Sequence, residues 1–374
     1  MFDKSNLDVL CDVLGQDARG DDIPKAAIPD REDVSWPAIV ALAADHGVLP
    51  SLYPCILRHG LSDDLEPDLL EYMEAVHALN AKRNTSLLLT MDSIGKSLRD
   101  AGIDFVFLKG AALLLHDLYP SPGMRFLRDI DILVENASIG DAAALLERDG
   151  FAIEEHPGAH DVIEAMDNQQ QLFVELHRSV LPAPLAHIAP AERFLADRIS
   201  APRSDHVFTP SPMDMLLHNA AHAMLHDGYY RLAELPLKDA YDFSLLAKRY
   251  GAEIDWSEIA LWRCAPGTLR ADPCAMAFYV NAIREMFAVP SMPKLPDTFA
   301  SRLTTARWRA RKGTPLDITA AHTGLRNVAE GLWRYVAVPS DRARIHSALL
   351  TPRKYKHFAQ KTIEISRRTA GRFT

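Results

Sequence analysis

Two aspartates separated by one residue, Asp129 and Asp131, have the spacing that most directly suggests chemistry. They begin a run of six residues, DIDILV, in which acidic and apolar residues alternate before the run becomes wholly apolar, a pattern typical of a strand. Side chains alternate between the faces of a strand, so both carboxylates point the same way, about 7 Å apart. Two such carboxylates repel each other, and a divalent cation relieves the repulsion. Mg2+ prefers one or two carboxylates with phosphate oxygens and water, so the pair predicts a magnesium site, although surface strands also show this spacing.

A third acid, Glu175, lies in another strand candidate, residues 172–177. There it would supply a further carboxylate facing the metals, and it could accept a proton from an attacking hydroxyl. In-line transfer between two metals about 3.5–4 Å apart needs a clustered acid set of this kind. We therefore predict that Asp129, Asp131 and Glu175 bind the metal and are catalytic, with Mg2+ as the cofactor and Mn2+ as a possible substitute.

Lys109 and Gly110 stand between a buried strand candidate, residues 103–108, and the start of a helix. A glycine at this place lets backbone N–H groups approach a phosphate, and a helix start favours negative charge. Lys109 can add a point charge to the same triphosphate. These two residues are therefore predicted to hold the nucleoside triphosphate.

Two arginines precede the acids, and a histidine follows Glu175. Arg125 and Arg128 could contact triphosphate oxygens, because arginine suits bidentate phosphate recognition. They could instead pair with Asp129 or with surface acids. The glycine-containing loop before Arg125 favours nucleotide contact for that residue, whereas structural pairing is favoured for Arg128. His177 shares a face with Glu175 and could position the acid or the acceptor, or be a hydrogen-bonded structural residue. All three stay candidates for the nucleotide site.

Three histidines at four-residue steps, His218, His222 and His226, lie along one face of a predicted helix. Two histidines at this spacing can bind zinc when a further ligand arrives. No His-Glu-x-x-His pattern is present and no cysteine lies near, so a packed or hydrogen-bonded face at a domain junction is favoured. An acceptor pocket could also include three residues further along the chain: Tyr229, Tyr230 and Asp239.

The elements around these residues change type along the chain. Residues 36–100 have apolar side chains at three- and four-residue steps, which is typical of helices. The strand candidates described above enclose a helix at 142–148, and helical patterns return from Met213. These patterns predict an α+β fold, in which a mixed sheet with helices is flanked by N- and C-terminal helical regions.

Six prolines between residues 181 and 212 mark the predicted domain joint. The predicted parts are an N-terminal helical region at 1–100, a core at 101–181, a proline-rich joint at 182–212, a C-terminal helical domain at 213–350 and a basic tail at 351–374. The tail has seven basic residues against one acid. It could hold an anionic partner, although a solvated terminal helix is the simpler interpretation.

The bulk composition limits the class of protein. With 374 residues, 48% hydrophobic and 24% charged, the chain can bury a large core. A net charge of −9 disfavours general affinity for nucleic acid. The four cysteines form no C-x-x-C pair, which indicates reduced thiols and no cysteine-based zinc site. We expect a cytoplasmic protein without a secretion signal, a membrane span or a membrane partner.

Several runs carry a resemblance to a known family: LKGAA at residues 108–112, the loop from Tyr119 to Arg125, and DIDILV at 129–134. The chain resembles poorly characterised bacterial nucleotidyltransferases of the DNA polymerase beta superfamily over roughly residues 35–260. Lys109-Gly110 stands where that superfamily usually has Gly-Gly or Gly-Ser. The resemblance implies a polymerase-beta-like nucleotidyltransferase core, with Asp129 and Asp131 as metal ligands and Glu175 as the third acid.

The predicted activity is NTP-dependent transfer of a nucleoside monophosphate, with release of pyrophosphate. The acceptor would carry a hydroxyl or similar group on a small molecule or peptide, and RNA is less favoured because the body is acidic. One alternative is a phosphotransferase that uses the same site with attack at the γ-phosphate. The other is a non-catalytic nucleotide-binding regulatory protein, against which the retention of all three acids argues.

Overall fold

The computed structural model describes residues 4–19, 34–155, 162–167, 172–183, 185–261 and 274–311. These residues belong to one compact unit, Phe2–Lys312. The predicted basic tail from Thr351 and the last part of the predicted C-terminal helical domain lie outside the described residues. Within the described part, no helix is both long enough and apolar enough to cross a bilayer.

A five-stranded mixed sheet forms the centre of the fold. Its strands, in chain order, are β1 (Phe105–Phe107), β2 (Asp129–Val134), β3 (Ala152–Glu155), β4 (Val162–Asp167) and β5 (Leu172–His177). The spatial order is β1-β2-β5-β4-β3, and only β2 and β5 run parallel to each other. The α+β fold with a mixed sheet is thus confirmed. The β3–β4 hairpin was not predicted.

Helices cover both faces of the sheet. On one face, α4 (Pro67–Asp100), α5 (Lys109–Leu115) and α6 (Ile139–Arg148) pack with the strands into one apolar cluster. On the other face, apolar side chains of β1 and β2 pack with residues between Val180 and Leu195, some of which belong to α7 (Ala191–Ala196). The strand alternation therefore places Ile130 and Ile132 in the first cluster and leaves Asp129 and Asp131 on the opposite face.

The helices before the sheet are α1 (Lys4–Arg19), α2 (Trp36–Asp45), α3 (Leu49–Arg58) and α4. The last of these has 34 residues and is therefore about 50 Å long. It begins at a proline, whose missing N–H costs nothing in the first turn, and it ends before Gly102, whose φ of 71° suits only glycine well. The helical pattern predicted over residues 36–100 is confirmed in α2, α3 and α4.

A short antiparallel pair, β6 (Ile199–Ala201) and β7 (Ser204–Thr209), follows α7. The α-helices that follow in the described part of the chain are α8 (Pro212–Ala221), α9 (Tyr229–Leu232), α10 (Leu237–Tyr250), α11 (Trp256–Leu261), α12 (Cys274–Phe287) and α13 (Phe299–Arg311). The N-terminal helix α1 packs on α10 and α12. Asp17 on α1 accepts a hydrogen bond from the Tyr241 hydroxyl, and its backbone oxygen accepts one from Lys248 Nζ.

Three of the four cysteines, Cys11, Cys55 and Cys274, are buried thiols that form no disulfide among the described residues. Cys264 lies outside the described residues. The Cys55 thiol donates to Asp17, and burial raises its pKa well above the ordinary value, so it is a protonated core side chain. We assign it no role in chemistry.

Candidate active site

The parallel pairing of β2 with β5 brings two of the predicted acids side by side. Asp131 is the direct register partner of Glu175, and Asp129 is the partner of Phe173. Residues paired in this way lie on the same face of the sheet, so the carboxylates of Asp129, Asp131 and Glu175 share one face. On the far side of β5, Glu164 pairs with Glu175 and extends this row of acids to β4.

Asp131 is buried and is held by two cationic or potentially cationic groups. Lys109 Nζ donates to its Oδ1 at 2.6 Å, and His177 Nε2 lies 2.8 Å from the same oxygen. Burial opposes ionisation of Asp131, but Lys109 and His177 outweigh it and hold the pKa of the carboxyl well below its ordinary value. Asp131 is therefore a carboxylate at neutral pH.

His177 also links Asp131 to Glu175, because its Nε2 lies 3.4 Å from Glu175 Oε2. Burial lowers the pKa of His177, but the two carboxylates more than compensate and raise it above the ordinary value. The hydrogen bond from His177 in turn lowers the pKa of Glu175. Ligand atoms of Asp131, Glu175 and His177 all lie within 4.8 Å of one another, so these three residues could hold a metal ion.

Asp129 stands two residues before Asp131 and is less buried. Its pKa is raised, first by burial and then by the neighbouring charges of Asp131 and Glu175. Arg128 Nε lies 3.3 Å from its Oδ2, and the Arg128 side chain is 82% exposed. The raised pKa marks a crowded set of carboxylates, and a divalent cation would relieve that crowding.

Lys109 begins α5 with a φ of 49°, in the left-handed region that non-glycine residues rarely adopt. Such a conformation costs of order 1–3 kcal/mol and persists where the surroundings enforce it. The backbone N–H of Leu108 donates to the Asp131 carbonyl at 2.9 Å and fixes the chain just before this residue. The strained residue therefore carries the ammonium group that holds Asp131.

Gly110 lies in a closely packed place. A Cβ at this position would lie 2.5 Å from Leu127 Cδ1 and 3.3 Å from Arg125 Nη2. The glycine thus lets the loop before β2 approach the start of α5. This close approach explains why a glycine follows Lys109, and phosphate contact by its backbone stays a prediction.

A cleft of about 310 Å3 opens beside these residues. One wall contains Lys109, Asp129 and Asp131, while α8, the segment after it and α10 form the other wall. Polar groups on that second wall are His218, Asn219, His222, Asp227, Lys238, Asp239 and Asp242. Among them, Asn219, Asp227 and Asp242 were not singled out from the sequence. Neither Tyr229 nor Tyr230 is among the residues that line this cleft, whereas Asp239 is.

Arg125 lines the cleft but is buried and engaged by Asp242. Its Nε donates to both carboxylate oxygens, at 2.9 and 3.0 Å, and its Nη2 lies 2.9 Å from Oδ2. The Tyr119 hydroxyl donates to the same carboxylate. Arg125 therefore joins the loop before β2 to α10, and its predicted contact with triphosphate oxygens remains a prediction. Sequence reasoning missed Asp242, although an acid within the apolar run of α10 was a usable signal.

Two asparagines of α4 fix the same loop. Asn80 Nδ2 donates to the backbone oxygens of Gly123 and Arg125, at 2.7 and 3.0 Å. Asn84 Nδ2 donates to Pro122 and Arg125 oxygens, both at 2.6 Å. The loop that carries both predicted phosphate-binding arginines is thus anchored on the long helix. The i, i+4 spacing of the two asparagines was the only sequence signal for this clamp.

The three histidines occupy different environments along the second wall. His218 is buried against Phe194, and its Nε2 has no hydrogen-bond partner among the described residues. Burial lowers its pKa well below the ordinary value, so the imidazole is neutral. His222 and His226 are half-buried in a π-helical segment, His222–His226, that follows α8.

Comparison with known proteins identifies the family of this chain. A search of curated proteins finds no significant match. The model of a family described as uncharacterised nucleotidyltransferases matches residues 32–279, which include the sheet, the cleft and both of its walls. The match covers well over half of the chain, and it supports nucleotidyl transfer as the general activity. The chain belongs to this family of uncharacterised nucleotidyltransferases and is an enzyme of that class.

Proposed function

We propose that the protein is a divalent-metal-dependent nucleotidyltransferase that moves a nucleoside monophosphate from an NTP to a hydroxyl or similar group on a small molecule or peptide. The observation that carries the proposal is the direct pairing of Asp131 with Glu175, on the face that Asp129 shares and beside a cleft that contains Lys109. Clustered carboxylates next to a polar cleft suit a metal-bound triphosphate.

The donor set fits Mg2+ and also Mn2+. Asp129, Asp131 and Glu175 would offer the carboxylate oxygens that Mg2+ prefers. His177 lies in the same group and offers a nitrogen, which Mn2+ tolerates better. When bound, the ion neutralises negative charge on the triphosphate. Lys109 donates to Asp131 in the structure, and in a complex with the NTP its ammonium group would contact both this carboxylate and the phosphates.

Glu175 would receive the acceptor proton. The hydrogen bond from His177 lowers its pKa, so the side chain is a carboxylate at neutral pH. The acceptor oxygen would attack the α-phosphorus and form a new O–P bond. The bond from that phosphorus to the bridging oxygen would break, and pyrophosphate would leave with the electron pair. Arg128 would leave only an exposed pairing with Asp129 to contact the phosphates, whereas Arg125 would have to leave the buried Asp242.

The acceptor would bind against the second wall of the cleft. That wall combines neutral His218 with Lys238 and Asp239, a mixture that suits a small polar molecule or a peptide side chain. The net charge of −9 keeps long RNA the least favoured acceptor. A cytoplasmic location, where triphosphates and reduced thiols coexist, belongs to the same proposal.

The test is product analysis with NTPs labelled at the α- or the γ-phosphate. Purified protein is incubated with Mg2+, each labelled NTP and cell extract, and the products are identified by mass spectrometry. We expect transfer of the α-label with release of pyrophosphate, and no transfer with Asp131→Asn. Transfer of the γ-label with release of a nucleoside diphosphate would establish the phosphotransferase alternative. Tight NTP binding without either product would establish the regulatory alternative.

A further inference from the structure

The π-helical segment His222–His226 places three metal-ligating side chains together on the second wall of the cleft. Its backbone bond runs from Asp227 N–H to the His222 carbonyl at 2.9 Å, which is an i→i+5 bond. In an α-helix, a residue five positions on points away from the first. The wider π turn instead places Asp227 on the same side of the helix as His222. Gly228, which has a φ of 77°, ends the segment. Single π turns of this kind occur frequently at functional sites.

The ligand atoms of these three side chains have a geometry close to that of a metal site. His222 Nδ1 lies 3.3 Å from Asp227 Oδ2, and His226 Nε2 lies 4.0 Å from Asp227 Oδ1. One atom from each of the three residues lies within 4.8 Å of the others. Ligand atoms of a tetrahedral zinc ion with bonds of about 2.0–2.1 Å are about 3.3 Å apart. The first distance already matches, and a small rotation of His226 would bring the second into range.

We propose that His222, His226 and Asp227 form a second metal site, one that takes a zinc-type transition metal ion. Two imidazole nitrogens and one carboxylate oxygen suit Zn2+ and its neighbours, whereas the carboxylate row on the sheet suits Mg2+. Three protein ligands leave a coordination position open, as zinc sites that bind a further molecule do.

Charge and access agree with this assignment. Burial would raise the pKa of Asp227, but the hydrogen bond and charge of His222 lower it below the ordinary value, so the carboxylate is ionised. The charges of His226 and Lys109 also lower the pKa of Asp227, and Lys109 already donates to Asp131. The side chains of His222 and His226 are each 28% exposed and that of Asp227 is 35% exposed, so an ion can enter. His222 and Asp227 also line the cleft, so the open position would face the bound substrates.

The test measures Zn2+ content and affinity in tag-free protein. Wild type, His222→Gln/His226→Gln, Asp131→Asn and His187→Gln, which removes an exposed histidine elsewhere, are dialysed against Zn2+ and analysed for bound metal. Asp131→Asn reports on the carboxylate site, since Asp131, Glu175 and His177 could also take the ion. Circular dichroism and melting curves establish that each variant is folded.

We expect about one Zn2+ retained per wild-type chain and in the Asp131→Asn and His187→Gln variants. The double histidine variant should bind Zn2+ at least about 100-fold more weakly, because even outer-shell changes at zinc sites cost 10–100-fold. Substitution of Co2+ should give a visible absorption band that the double variant lacks. Zn2+ binding that survives the double histidine change, or that disappears with Asp131→Asn instead, would overturn the proposal. So would a wild-type chain that retains no Zn2+. Pyrophosphate release with Mg2+ is a separate measurement, so failure here leaves the proposed activity untouched.

Discussion

Asp131 has three neighbours that define its chemistry: Lys109, His177 and the register partner Glu175. The two cationic partners keep the carboxylate ionised in a buried place. They offset part of the repulsion between Asp131 and the neighbouring acids, although the charge of Asp131 still raises the pKa of Asp129. Neutralising Asp131 would leave Lys109 and His177 without their charged acceptor. A metal ion that binds Asp131 would therefore compete with Lys109 and His177 for the same carboxylate.

Glu175→Gln should lower kcat by about 100-fold or more while changing the KM for the NTP much less, because it removes the proton acceptor and keeps the shape. Glu164→Gln is the matched control, since Glu164 lies on the same face one strand further away. Steady-state rates of pyrophosphate release compare the two. Equal losses in both variants would mean that the acid row acts only through its total charge.

At the residue scale, much of the site followed from the period of a strand. The alternation of side chains along a strand was enough to predict that Asp129 and Asp131 share a face. The same holds for Glu175 and His177. The pairing of Asp131 with Glu175 needed the register of β2 on β5, which no local pattern contains. The bond from Arg125 to Asp242 spans 117 positions and was likewise invisible, although each residue could be singled out as polar within an apolar context.

The ion pair between Arg125 and Asp242 connects the loop before β2 to α10, and mutation can test how much it stabilises the fold. Arg125→Met should cost about 3–5 kcal/mol, because it leaves the buried Asp242 carboxylate without its guanidinium partner. The double variant Arg125→Met/Asp242→Leu should recover part of that loss, and urea unfolding of the cycle of four proteins measures the coupling. NTP affinity of the double variant then tests the predicted phosphate contact. Unchanged affinity would exclude Arg125 from the triphosphate site.

A second link joins α5, β7 and α10 through His116. Its Nδ1 lies 2.7 Å from the Tyr250 hydroxyl and its Nε2 lies 2.6 Å from Thr209 Oγ1. Burial, assisted by the charge of Arg249, lowers its pKa to about 4. Between about pH 6.5 and 4 the unfolded chain therefore binds a proton that the folded chain does not, and the free energy of unfolding falls as the pH falls.

As the pH falls from 7 to 5, protonation linked to His116 should lower the free energy of unfolding of the wild type by about 2 kcal/mol. His116→Gln keeps two hydrogen-bonding groups and cannot titrate, so its unfolding free energy should fall less over the same range by about that amount. Urea denaturation at the two pH values provides the comparison. Parallel pH profiles would show that His116 is protonated in the folded state.

The helices and strands with a strong hydrophobic pattern in their own sequence were the ones that could be predicted. The predicted strands at 129–134 and 172–177 have the observed limits, and the helix at 142–148 is the later part of α6. The hairpin of β3 and β4 was missed because none of the side chains described in β3 is buried, and because Met166, which is half-buried, interrupts the apolar–polar alternation that the buried Ile163 and Ala165 begin. The short pair β6 and β7 lies among prolines that predicted a joint, and its few residues gave no strand period. The boundaries predicted for the domains stay predictions.

For the whole chain, Mg2+ with a saturating NTP should raise the melting temperature by about 5 °C at a ligand concentration near 100 Kd, because the ligand binds only the folded state. Removing residues from Thr351 onward should leave this shift nearly unchanged. The tail has seven basic residues, but their field is screened within about 8 Å at physiological salt. Differential scanning fluorimetry of both chains, with Asp131→Asn as the control, makes the measurement. Loss of the shift in a folded truncated chain would place the tail in the active site.

The parallel pairing of β2 with β5 also sets the order in which this chain can acquire its site. Asp131 and His177 are 46 positions apart, and the hairpin between them in sequence lies outside them in the sheet. The chain must therefore close a long loop, and insert β5 between β2 and β4, before the acids meet. Non-local pairings of this kind form slowly, since the entropy of closing the loop is lost before the contacts are gained. A chain still emerging from the ribosome thus contains Asp129 and Asp131 without Glu175, and the acid cluster forms only when the sheet is closed.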